Sequence, residues 1–360
     1  MKLPRGAGTG NLAKIHALQR ERAGGQCQVI FRQPEMRDLT AFISGSTGFV
    51  GIATVRAFAK AGVHVRAGMR ASHRDVRTIP SADEVTSHAD LEHESGWPQI
   101  LNGCNVVVHI AGPAHLDLGP AEIAPAQRAI IDGTKNLAAG AARAGVKRFV
   151  YLSSAHVFGS QSSSRHPFRE VDETHPQSHY TIAKQQAEQE VVRTATGSGM
   201  DYVIVRPPMV YGPGAPGNFS RLLRLVHSSW PLPLAGAQAL RSFIGIDNLA
   251  AALLVAAECP AASNDVFNIS DGDDCSTAQM IHLIAQAQAR RPRLFWAPQS
   301  LLLTGAHLMG KRADFDKIFQ PFQIDISHFR NVTGWRPPLS LREGICEASK
   351  RAPGSQPVGA

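Results

Sequence analysis

The segment "HYTIAKQQAE", His179 to Glu188, places a tyrosine and a lysine four residues apart in a run without Gly or Pro. In a helix, residues i and i+4 share one face, so the Tyr180 phenol and the Lys184 ammonium project into the same space. A free phenol has a pKa of about 10 and is a weak base at neutral pH; a nearby cation favours its ionised form. Such a pair suits removal or return of a hydroxyl proton. Spacing alone equally allows a half-buried Tyr beside a solvated Lys. A second chemical group precedes it: "YLSSAHVFG" carries Ser153 and Ser154. A hydroxyl there could hydrogen-bond a reacting oxygen and fix its position, or simply cap a strand end.

These groups need elements to hold them. From Leu39 onward, apolar strand-like runs alternate with helical patterns: "TAFI", "VHVRAGM", "EVTSH", "NVVVHIAG", "RFVYLSS" and "DYVIVRP" read as six strands. "FVGIATVRAFAKAG" and "AQRAIIDGTKNLAAGAARAG" read as helices between them. This alternation predicts an α/β fold, a Rossmann-type doubly wound parallel sheet, with a smaller, discontinuous C-terminal substrate domain. The dinucleotide-binding domain is expected over 39–206 plus about 241–270, and the substrate domain over about 207–240 and 271–347. "RPPMVYGPGAPGNF" reads as a loop over the site, and "LFWAPQSLLLTGAHLMG" as a loop followed by a core helix. Residues 1–38 and 348–360 are expected to be disordered extensions.

"SGSTGFVG" puts Gly45, Gly48 and Gly51 between the first strand and first helix. Glycines there let the backbone turn tightly against a pyrophosphate held at the positive helix N-terminus. The turn Gly45, Thr47, Gly48, Phe49, Val50 and Gly51 is therefore the candidate cofactor cradle. An acid at the end of the second strand would bond a ribose 2′-hydroxyl, and an arginine would accept a 2′-phosphate. The strand ends in Met69 and Arg70, which leans the cofactor, NAD(P), towards NADP. Asp90 and Leu91, after the third strand, are candidates to flank the adenine, and a plain turn is the competing reading of Asp90.

Charge and cysteines narrow the function classes. The chain carries a formal +8, of which +4 falls in residues 1–38; the remainder gives no nucleic-acid footprint. Five scattered cysteines without CxxC spacing argue for a reducing compartment and no structural metal. No stretch is long and apolar enough to read as a membrane span, and residues 1–38 lack an apolar signal core. A cytoplasmic protein is expected.

In order, the glycine turn, "HIAG", "YLSSAHVFG", "YTIAK" and "RPPMVYGPG" resemble the extended short-chain dehydrogenase/reductase family, of the NAD-dependent epimerase/dehydratase type, over about Leu39 to Ile345. The likeness points to the bacterial nucleotide-sugar C4 epimerase and reductase branch related to UDP-glucose 4-epimerase. It implies Ser154, Tyr180 and Lys184 as catalytic residues, and Ala111, Gly112, Ser153 and Pro207, besides Tyr180 and Lys184, against the cofactor. It also implies Ser154, Asn218, Phe219 and Arg241 against a nucleotide-sugar substrate, no metal, and a homodimer by analogy. Met209, Ala114 and Ile130 depart from residues that UDP-glucose 4-epimerases or the wider family carry there, which weakens an epimerase more than it weakens family membership. The competing functions are an NADP-dependent reductase of a small carbonyl or sterol-like substrate, and a cofactor-sensing protein without turnover.

Overall fold

The computed structural model describes residues 39–73, 79–112, 119–163, 166–228, 230–308 and 312–350. The extension 1–38, the last ten residues of the expected tail and Ala114 lie outside these. The strands are β1 (Thr40–Ser44), β2 (His64–Arg70), β3 (Glu84–His88), β4 (Val106–His109), β5 (Arg148–Leu152), β6 (Asp201–Arg206), β7 (Met209–Tyr211), β8 (Leu240–Arg241), β9 (Phe243–Gly245), β10 (Asp265–Asn268) and β11 (Cys275–Ser276). Seven of them form one sheet in the order β10-β6-β5-β4-β1-β2-β3. Every neighbouring pair is parallel, with Ile43 level with Ala67 on one side and Val108 on the other. This is the expected doubly wound sheet, whose strand order reverses between β1 and β4.

Strands buried on both faces explain the near-continuous apolar runs. Alternate residues part to opposite sides. Ile43, Val108 and Val150 join a core with Val55, Phe58 and Leu253, from helices Phe49–Lys60 and Ile246–Glu258. Phe42, Val107 and Phe149 join another core with Leu137 and Val191, from helices Pro120–Arg143 and His179–Ser198. A third core gathers Tyr211, Phe219, Leu223, Phe243, Ile281 and Ile284 beyond the carboxyl edge of the sheet.

Three expectations change. The Pro/Gly-rich stretch after Arg206 is not all loop: Met209–Tyr211 pairs in parallel with β9. The last helix runs Leu341–Lys350, and burial of Ala348 and Ser349 removes 348–350 from the expected tail. The helix Gln299–Leu308 forms after its loop, but Ala306 is its buried residue, while Leu301 and Leu308 are 66% and 82% exposed. Its apolar composition marks an outward face rather than core. Among the described residues no helix is long and apolar enough to cross a membrane, and no group of three His, Cys, Asp or Glu is placed to hold a metal.

Candidate active site

The glycine turn closes on itself and on the loop after β4. Gly45 has φ +70°, and a Cβ there would lie 2.9 Å from the Ala111 backbone; a Cβ on Gly51 would lie 2.0 Å from the Gly45 carbonyl oxygen. No side chain larger than hydrogen fits either place. The following helix starts at Phe49 with Gly48 as N-cap, no side-chain cap and no acid in its first turn. Its first N–H groups are thus left to an anion, which fits a dinucleotide pyrophosphate. Thr47 and Val50 are half-buried in this turn, and Phe49 packs partly on the third core.

The β4 loop is pinned from beneath by a residue the motif reading missed. His109 Nδ1 lies 2.7 Å from Ser44 Oγ, and that oxygen also accepts from the N–H groups of Ile110 and Ala111. With two donors already on it, the Ser44 hydroxyl donates to Nδ1, so Nε2 carries the ring proton and donates to Thr134 Oγ1 at 3.0 Å. Burial pushes the His109 pKa down to about 3, which keeps the imidazole neutral. Gly112 follows at φ +151°, and a Cβ on it would stand 4.0 Å from Lys184 Nζ.

At the end of β2 the two candidate selectors separate. Met69 turns into the core at 8% exposure, whereas Arg70 is solvent-facing and pairs with Asp90 at 3.6 Å. Leu91 packs partly on the second core, close against Gly133, and its carbonyl accepts from Asn136.

Helix His179–Ser198 opens with a capping box: the Ser178 hydroxyl accepts from the Thr181 N–H, and the Thr181 hydroxyl accepts from the Ser178 N–H. That cap fixes the first turn and with it Tyr180. One turn on, Lys184 is 4% exposed, donates from Nζ to the Leu152 carbonyl at 2.9 Å, and lies 5.8 Å from the Tyr180 ring centre. Burial lowers the Lys184 pKa to about 8, opposed by the Glu188 carboxylate, and raises the Tyr180 phenol to about 12. The Tyr180 hydroxyl has no hydrogen bond among the described residues.

The two serines divide. Ser153 donates to Glu188 Oε1 at 2.5 Å, while Ser154 accepts the His156 N–H at 3.2 Å, capping the turn Ala155–Phe158. The Ser154 hydroxyl proton has no acceptor among the described residues. Ala155 donates to the Pro207 carbonyl at 2.8 Å, tying the β5 and β6 ends together. Glu188 is itself locked to Arg206 by two bonds, at 2.9 and 2.6 Å, both residues being under 10% exposed.

Across the cleft, Asn218 opens the helix Asn218–His227 and is exposed, whereas the Phe219 ring is 1% exposed and 5.4 Å from Tyr211. The Phe219 ring is therefore core, and only its backbone is left for a ligand. Arg241 donates from Nη1 to the carbonyls of Lys317 and Gln320, and its guanidinium lies 5.5 Å from the Phe322 ring centre. Phe322 continues to His156 at 4.1 Å, linking Arg241 to the turn after Ser154. Burial lowers His156 to about 4 and Arg241 to about 10.

The model of the NAD dependent epimerase/dehydratase family matches residues 41–270. The chain belongs to this family. A UDP-glucose 4-epimerase of Vibrio cholerae is 35% identical over 86% of this chain and 94% of its own length. The structure of MoeE5 in complex with UDP-glucose and NAD superposes with TM-score 0.70 at 23% identity, covering 87% of this chain and 98% of that one. The UDP-glucose 4-epimerase of Thermotoga maritima with UDP-glucose gives TM-score 0.69 at 21% identity, covering 87% and 98%.

In this epimerase/dehydratase chain, Glu188, Arg206, His109 and Phe322 are the site neighbours that sequence reasoning passed over. Glu188 stands four residues after Lys184, and His109 and Arg206 lie inside the motifs "HIAG" and "RPPMVYGPG" without a role assigned to them. The buried ammonium sets a stability trade-off. Lys184 titrates near 8 folded and 10.5 unfolded, so the unfolded chain binds more protons between those values, and its stability contribution rises with pH across that window. Lys184→Met is therefore expected to raise stability at pH 7 by about 1–3 kcal/mol, with the gain shrinking as pH approaches 10.5. Urea unfolding at both pH values measures it; equal changes would contradict a strained ammonium.

Proposed function

We propose that this family member is an NAD(P)-dependent nucleotide-sugar enzyme, a C4 epimerase or a 4-keto-sugar reductase acting on a UDP-linked hexose or N-acetylhexosamine. The observation that carries the reading is the convergence of Tyr180, Lys184 and the uncommitted Ser154 hydroxyl at the carboxyl edge of β4 and β5, beside the glycine turn. The V. cholerae relative, matched over nearly its whole length, supports the substrate class.

The residues divide the work by their chemistry. The glycine turn and the helix N-terminus at Phe49 would hold the pyrophosphate, with Lys184 and Tyr180 beside the nicotinamide ribose. When bound, the nicotinamide supplies the hydride acceptor or donor, and in its oxidised form a positive charge. Tyr180 takes the C4 hydroxyl proton in the oxidising direction and returns it in the reducing direction. Its phenol, pushed up to about 12 by burial, needs the Lys184 ammonium and further positive charge to act near neutrality. Ser154 donates to the reacting oxygen, and Arg241 pairs with a substrate phosphate through the donors its backbone contacts leave free. Arg70 favours NADP, and its pairing with Asp90 makes the preference over NAD a narrow one.

Purified protein incubated with UDP-hexoses, UDP-N-acetylhexosamines and their 4-keto derivatives, with added NAD or NADPH, tests this by NMR of the products. A C4 epimer with retained NAD identifies the epimerase, and net reduction with NADPH exchange the reductase. No change in any of these sugars, alongside turnover of a small ketone, would overturn the reading.

A further inference from the structure

Seven of the ten large apolar side chains left exposed among the described residues fall within two segments, 218–241 and 288–319. They include both solvent-facing tryptophans: Trp230 and Trp296 are 72% and 71% exposed, while Trp97 and Trp335 are buried. Phe295, Leu301 and Leu308 accompany them. The segments are joined, since Leu232 donates to the Arg293 carbonyl, Phe295 donates to the Leu232 carbonyl, and Arg290 reaches the His227 carbonyl at 2.6 Å.

Six basic side chains of these segments, Arg221, Arg224, Arg290, Arg291, Arg293 and Lys317, are exposed. Helix Gln299–Leu308 is uncharged along its length and buries little beyond Ala306. A surface that sets exposed indole rings and leucines among exposed basic side chains complements two things at once: an apolar layer and a negative sheet above it. Tryptophan favours the boundary between headgroups and acyl chains, and a partly inserted apolar helix gains hold from nearby basic residues. A nucleic acid would match the charge and leave Leu301 and Leu308 facing water. A second copy would match the leucines and set the basic side chains of one copy against those of the other.

We propose that this face seats the protein on an anionic lipid bilayer, lying on the membrane rather than spanning it. The consequence for the cleft is direct, because the carbonyls of Lys317, within this segment, and of Gln320, just after it, hold Arg241. Docking would bring the candidate phosphate-binding arginine to the lipid boundary, whichever sugar it serves.

The full chain is to be sedimented with vesicles of phosphatidylcholine mixed with phosphatidylglycerol, and with vesicles of phosphatidylcholine alone. Binding to the mixed vesicles is expected, with a blue shift of tryptophan emission, and weakening at high salt. Trp296→Ala with Leu301→Ser and Leu308→Ser should reduce the partition at least tenfold. Arg291→Gln with Arg293→Gln should reduce it about 30-fold, at about fivefold per basic residue. These positions are exposed, and circular dichroism checks that each variant folds. Absence of binding by the unaltered chain overturns the proposal. Binding that survives the apolar variant does so too, since it would belong to the basic residues 1–38 or to charge alone. Concentration-dependent dimers abolished by the apolar variant would assign the face to a second copy instead.

Discussion

Tyr180→Phe should lower turnover of the sugar nucleotide by about 10²- to 10⁴-fold, the range for loss of a positioned acid–base group, with little change in stability. The hydroxyl has no partner among the described residues, so its removal leaves no buried donor or acceptor unsatisfied. The ring itself packs partly on the second core and is kept by phenylalanine. The capping box at Ser178 and Thr181 is untouched, so the helix should begin as before. Substrate and cofactor affinity should shift less than turnover, because the phenol's contribution grows only as the C4 hydroxyl gives up its proton. Steady-state rates, dinucleotide titration and a melting curve on one preparation separate these effects. Turnover within fivefold of the unaltered chain would remove Tyr180 from the chemistry.

The parts of this molecule that sequence reveals are those fixed by short-range physics. Strands covered on both sides must be apolar throughout, so β1, β4, β5 and β6 stand out as runs such as "NVVVH" and "DYVIVR". A turn that brings the Gly51 position within 2.0 Å of a carbonyl oxygen can only be glycine, so the cradle is legible too. What stays hidden depends on distant partners. Leu301 and Leu308 have the composition of core residues, and their exposure is decided by what the rest of the chain leaves uncovered. Met69 sits where a side chain could have met a ribose, but the alternation of β2 turns it inward. Glu188 follows Lys184 at a spacing that reads as an ordinary surface pair; only the end of β6, bringing Arg206 to it, makes it a buried charge.

Glu188→Ala is expected to destabilise the fold by about 3–5 kcal/mol, the cost of breaking a buried pair from one side. Arg206 would lose two charge-assisted bonds, and its guanidinium would remain buried with the Phe158 ring face 4.9 Å away. The cost should fall when both charges go: Glu188→Leu with Arg206→Met removes the orphan and the desolvation together, so the double variant should be more stable than Glu188→Ala. Urea titrations of the single and double variants measure this, and a single-variant cost under 1 kcal/mol would mean that water reaches the pair. Activity should respond separately. Ser153 loses its acceptor, which loosens the strand end carrying Ser154, and Lys184 loses the carboxylate that raises its pKa. The alkaline limb of the rate profile, if set by the Lys184 ammonium, should therefore move to lower pH in Glu188→Gln, a shift that destabilisation alone would not produce. The ion pair beneath the site thus serves two ends: through Glu188 it ties Ser153, just after β5, to Arg206 at the end of β6, and its carboxylate raises the Lys184 pKa where burial lowers it.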